Sequence, residues 1–205
     1  MSGYGRRVAR PFRQQIDAGI LDRAAALFAR RGFEQTSVQA IADAVGLSKA
    51  GLLHHFPSKD ALHEAVRAQV DTLGRGALEQ VRDLPLGAAR DRRAIEVLVD
   101  TSLAHPGLVS LLLTPAAQGI AVSGTDMDPA SSWAFAAFGV DPRTAERERC
   151  VRVSGALVAL AVLTLGAQQE GEAAVLRPHI IATSFDALGH RRPGATATSS
   201  DQVEA

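Results

Sequence analysis

One cysteine, one tryptophan, one tyrosine and only two lysines occur among the 205 residues of this chain. A single cysteine, Cys150, excludes an internal disulfide and a multi-cysteine zinc site, leaving a helix-face residue or a redox-sensing thiol as its two readings. Aromatic side chains make up 4% of the sequence, so a core must be built mostly from Ala, Val, Leu and Ile. That favours closely packed helices over a sheet sandwich. The N-terminus lacks a charged segment followed by an apolar core, and no apolar run reaches about 18 residues without a charged or strongly polar break. A cytoplasmic protein with no membrane partner is expected. Phosphate-loop and nucleophile-elbow motifs are missing, and Gly3-Tyr4-Gly5 has neither the preceding strand nor the third glycine of a dinucleotide fingerprint. No catalytic residue, metal or cofactor is therefore assigned. Adjacent His54 and His55 would point about 100° apart on a helix and cannot easily share one ion.

The net charge is also zero, Lys+Arg 22 against Asp+Glu 22, yet the charge is unevenly spread. Residues 1–70 hold ten basic and six acidic side chains, leaving twelve and sixteen for the rest. Arg6, Arg7, Arg10 and Arg13 suggest a basic arm over residues 1–12, which either follows DNA phosphates or is a solvated tail. Both lysines, Lys49 and Lys59, fall within one stretch, Thr36 to Lys59, and that stretch is the most informative in the chain.

Thr36 and Gln39 have capping-box spacing, predicting a helix start at Thr36. Val38, Ile41, Ala42 and Val45 then recur at helical period, and Gly46 supplies a left-handed stop. Leu47 plugs the turn, and Ser48 is a good N-cap for a second short helix from Lys49 to about His55. Ile16, Ile20, Ala24, Leu27 and Phe28 place a first helix before this pair, ending at Gly32. Pro57 stops the second short helix, and Ser58 with Asp60 starts the next. Two short helices joined by a tight turn and ending in basic and histidine side chains form a helix-turn-helix pattern, whose second helix enters the major groove of double-stranded DNA.

From Gly32-Phe33 through Thr36-Ser37-Val38, Ile41-Ala42, Gly46-Leu47-Ser48, His55-Phe56 and Lys59 to Leu62, the sequence resembles the N-terminal domain of TetR-family transcriptional regulators. The resemblance covers about the first third of the chain. It implies a homodimer that binds a palindromic operator, usually represses, and releases DNA when a small ligand binds the C-terminal domain. Leu53 stands where the family commonly has tyrosine, so phosphate contacts shift to Ser48, His54, His55 and Lys59. Lys49 and Gly51 occupy positions where base-edge or close-approach contacts would fall. With Thr36, Ser37, Gln39 and Ala50, these residues make up the candidate DNA-binding set. A helical protein-binding adaptor or a helical enzyme with an unfamiliar site are the alternative readings.

An all-α protein is expected, in which residues 13–57 form the helix-turn-helix domain and 58–188 a helical ligand-binding and dimerisation domain. Helices are predicted over Arg90–Leu103, Gly107–Gly119, Ser131–Phe138, from Asp141-Pro142 toward Gln169, and over Ala173–Leu188. Ser123 to Asp126 reads as a loop, and residues 189–205, rich in Gly, Pro, Ser and Thr, as a disordered tail. Val153, Ala156, Leu160 and Leu163 with Ile180, Ser184 and Leu188 are the candidate dimer interface, the alternative being that they fill one subunit's own core. His105, Leu112, Trp133, Phe135, Phe138 and Leu157 are candidates for lining a pocket that takes a small, mostly apolar effector; ordinary core packing is the competing account of each.

Overall fold

The computed structural model describes residues 5–117 and 129–190, all of whose regular elements are helical. They are α1 (Gly5–Arg31), α2 (Val38–Ala44), α3 (Lys49–His55), α4 (Lys59–Glu79), α5 (Ala88–Ala104), α6 (Pro106–Ala117), α7 (Pro129–Ala137), α8 (Arg147–Glu170) and α9 (Ala173–Ala187). The expected loop at Ser123 to Asp126 and all but the first two residues of the expected tail lie outside the described residues. Because α1 starts at Gly5, the backbone of Arg6, Arg7, Arg10 and Arg13 belongs to its first turns and not to a separate arm.

Two apolar cores organise the chain. The first joins Ile20, Ala24, Leu27 and Phe28 of α1 to Ile41 and Ala42 of α2, Leu52 of α3, and Leu62, Val66 and Val70 of α4. It also takes in Leu108 of α6, so it reaches past the boundary expected at residue 57. α4 serves both units: its first half carries the first core, while Leu78 near its end packs on the second. Ile95 and Val99 of α5, Phe135 of α7, Phe138 just after it, Val153, Ala156 and Leu160 of α8, and Ile180 and Ile181 of α9 belong to the second.

Helix ends follow local chemistry, with two departures from expectation. The α2 N-cap is Ser37, whose Oγ accepts from the Ala40 N–H at 3.1 Å. Thr36 instead turns inward, 1% exposed, its hydroxyl donating to the Gly32 carbonyl at 2.7 Å. Gln39 does not reach back to the cap and donates to Asp43 Oδ1 at 2.7 Å. The apolar environment under Thr36 and the free Gly32 carbonyl win over the capping box. The second departure is at α8, which begins at Arg147 because residues after Asp141 form a tight turn, with Asp141 Oδ1 accepting from the Arg143 N–H.

α8 is the one described helix long and apolar enough to cross a membrane by length and composition, and it packs here against α5, α6 and α9. Its outward residues include Val151, Val158, Val162 and Leu163, 70%, 38%, 54% and 39% exposed.

Candidate nucleic-acid interface and effector cavity

The turn between α2 and α3 is built from its backbone. Gly46 has φ +71°, the left-handed value that favours glycine. The Leu47 N–H returns to the Ala42 carbonyl at 2.9 Å and the Gly46 N–H to the Asp43 carbonyl at 3.3 Å. This is the paired closure of a Schellman motif, and it satisfies two of the carbonyls that the end of α2 leaves open. Leu47 then packs on the first core. Ser48 caps α3, its Oγ accepting from the Gly51 N–H at 3.0 Å. Leu52, 1% exposed, pins the helix against its neighbours.

With Leu52 inward, Ser48, Lys49, Ala50 and His54 are exposed on α3, and Ser37 and Gln39 are exposed at the start of α2. These six of the expected DNA-binding residues form an outward set. Gly51 is half-buried, and a Cβ there would sit 3.2 Å from Ser48 Oγ, so glycine keeps the N-cap uncrowded. Three others are turned to structural work. Thr36 is buried, as described above. His55 Nδ1–H donates to Asp17 Oδ1 of α1 at 2.6 Å, which ties α3 to α1. Lys59 Nζ donates to the Phe33 carbonyl at 3.0 Å and lies 4.1 Å from the centre of the Phe33 ring. It therefore clasps the end of α1 to the start of α4. Residue type suggested phosphate contacts for His55 and Lys59; the partners that hold them, Asp17 and Phe33, carry no local signal, being 38 and 26 residues away.

The six expected effector-lining residues do not converge. Phe135 and Phe138 are 3% and 2% exposed in the second core, and Leu157 packs at its edge. Leu112 is 39% exposed on α6, and His105 caps the end of α5. Trp133 crosses to α4, its Nε1–H donating to Asp71 Oδ1 at 2.7 Å. An open cavity of about 460 Å³ lies elsewhere, between the α4–α5 connection, the turn after α7, the start of α8 and the end of α9. Of the six, Phe138 lines it, together with Leu86, Val140, Ala145, Asp91, Arg149 and His190. Among the described residues no group of three or more His, Cys, Asp and Glu side chains could hold a metal ion.

The dimer candidates also need correction. Val153, Ala156, Leu160, Ile180, Ser184 and Leu188 are all buried within a single protomer, and only Leu163 of the seven is exposed. Helices apolar on every side carry no periodic signal to tell an inner face from an outer one. The outward apolar strip is instead Val151, Val158, Val162 and Leu163 of α8 with Val175 of α9.

Three helices around one small core, with the third held out by a capped tight turn, define a helix-turn-helix domain. Residues 20–66 match the model of the bacterial regulatory proteins, tetR family, which marks this segment as a helix-turn-helix domain of the TetR type. It is 39% identical over 87 residues to the HTH-type transcriptional repressor KstR2 of Rhodococcus jostii (strain RHA1), covering 40% of this chain and 39% of that protein. Against the HTH-type transcriptional regulator RutR of Escherichia coli (strain K12) it is 38% identical over 85 residues, 40% of each chain. The chain thus matches about two-fifths of the length of these curated relatives. A TetR-like transcriptional regulator from Rhodococcus sp. RHA1 shares the fold over 87% of this chain and 97% of its own, with a TM-score of 0.50 and 21% identity.

Proposed function

We propose that this protein is a ligand-responsive transcriptional repressor that binds a palindromic operator in double-stranded DNA as a homodimer. The observation that carries the reading is the exposed α3 face of Ser48, Lys49, Ala50 and His54, held by Leu52 below and by the Ser48 cap. Lys49 makes no ion pair among the described residues, so its charge is available to a base edge or phosphate. The relatives named as repressor and regulator support it over the stretch they share.

Dimerisation follows from the outward strip of α8. A helix whose apolar side chains face both inward and outward is stable in water when a second surface covers the outer face. Val151, Val158 and Val162 recur at helical spacing with Gly155, also exposed, between them. A second copy would bring the same strip into a twofold contact. The two α3 helices would then sit in successive major grooves, roughly 34 Å apart.

Release is assigned to a small, mostly apolar effector in the C-terminal unit. Such a ligand must favour the arrangement that does not fit DNA, since equal affinity for both arrangements shifts nothing. α4 shares both cores and α6 packs on both α1 and α8, so these are the two elements through which a change in one unit would reach the other.

Selection of bound sequences from random duplex DNA with purified protein tests the reading. Enrichment of a palindrome is expected. Weak, salt-sensitive binding without enrichment would sink it.

A further inference from the structure

The 460 Å³ cavity at the start of α8 has a built polar floor and apolar walls. Asp91, 1% exposed, forms the floor. Arg149 donates to both of its oxygens from one nitrogen, Nη2, at 2.8 and 2.7 Å. His190 Nε2–H donates to Oδ2 at 2.7 Å, its ring stacked 4.7 Å from that of Phe185. Both oxygens of Asp91 are thus engaged, and a cationic ligand would find no free carboxylate at the floor. Arg149 is in the opposite situation. Its Nη2 also approaches the Phe138 carbonyl, but Nε and Nη1 make no hydrogen bond among the described residues. Arg149 has its side chain 29% exposed and lines the cavity, leaving Nε and Nη1, which point to different sides of the guanidinium, so that a further acceptor can take a single charge-assisted hydrogen bond from one of them.

The walls set the rest of the ligand. Leu86, Phe138, Val140 and Ala145 are apolar, and Gly139, at φ +65°, comes so close that a Cβ there would lie 2.3 Å from Leu86 Cδ2. Glu146 stands exposed on the lining. With Asp91 beneath and Glu146 beside it, the site opposes a second negative charge on a ligand. We propose that this cavity binds a small monocarboxylic acid, its carboxylate on Arg149 and its hydrocarbon part against Leu86, Phe138 and Val140. The inference goes beyond the regulator reading, because the site and its chemistry are defined without reference to DNA.

Calorimetric titration of the full chain with hexanoate, hexanamide and succinate tests it. Hexanoate is expected to bind at least tenfold more tightly than the amide and the dianion. Removing Arg149 alone leaves Asp91 buried without its strongest partner and risks the fold. The paired change Asp91→Asn with Arg149→Gln keeps a neutral pair there and is expected to erase the preference for acid over amide. Ala145→Leu fills the cavity while leaving the polar floor intact, and is expected to weaken hexanoate at least tenfold. Absence of hexanoate binding, equal binding of acid and amide, or retention of tight binding in Ala145→Leu would each overturn the proposal. No DNA enters the measurement, so any of these results leaves the operator reading standing.

Discussion

Asp22 on α1 caps the first turn of α6: its Oδ1 accepts from the Leu108 N–H at 3.0 Å, across 86 residues of sequence. The helices meet there so closely that a Cβ on Gly107 would lie 1.8 Å from the Asp22 carbonyl oxygen. The helix-turn-helix unit and the C-terminal helical unit thus share a hydrogen bond and a close backbone contact. Gly107→Ala is expected to force the helices apart and to lower the thermal midpoint more than Asp22→Ala, whose lost cap costs about 1 kcal/mol. A Gly107→Ala protein as stable as the parent would mean that α1 and α6 do not approach in this way.

The two candidate caps of α2 separate by mutation. Ser37→Ala removes the side chain that bonds to the Ala40 N–H and is expected to cost about 1 kcal/mol in urea unfolding. Gln39→Ala removes an exposed side-chain pair and should stay within about 0.5 kcal/mol. Equal losses would restore the capping box at Thr36.

Lys49 and Lys59 are expected to differ in kind. Lys49→Ala should weaken operator binding and change the slope of log affinity against log salt by about one. Lys59→Ala should leave that slope unchanged and act through stability, since its ammonium is committed to the Phe33 carbonyl and ring. Salt titrations of both variants by fluorescence anisotropy decide this, and a flattened slope in Lys59→Ala would return it to the interface.

Val162→Glu places a charge on the outward strip of α8, where the residue is 54% exposed. The monomer should fold as before, while dimer affinity falls at least tenfold, about 1.4 kcal/mol. Val153→Ala, at 0% exposure, should instead destabilise each protomer by about 1 to 3 kcal/mol. Sedimentation velocity with thermal unfolding distinguishes the two, and a Val162→Glu dimer of unchanged affinity would place the interface elsewhere.

The Asp71 carboxyl is held below its ordinary 3.8, first by the hydrogen bond from Arg75 and then by that from Trp133. A depressed carboxylate pKa contributes stability that is present above the unfolded value and is lost as pH falls through the folded one. Trp133→Phe removes one of the two donors, so Asp71 should titrate nearer 3.8, and the acid loss, which starts near the unfolded value in both proteins, should be smaller and complete at higher pH. Carbon NMR titration of the Asp71 carboxyl reads this directly, and an unmoved midpoint would show that the indole bond has no hold on it.

Local chemistry in the sequence determined much of this protein. Ser48 and Ser58 cap because a hydroxyl beside a helix start meets its own N–H groups three residues on, and Gly46 and Gly171 stop helices because they tolerate positive φ. These effects act within one turn, and so the helix-turn-helix and its second helix were legible from residue order. Tertiary structure alone decided which side of an all-apolar helix faces inward, and it buried Val153 and Leu160 while exposing Val151 and Val162. It decided, too, that His55 and Lys59 serve the fold, and that Asp91, Arg149 and His190 meet although they are 58 and 99 residues apart. Pairings of that range depend on how finished helices pack, and no periodicity along the chain records them.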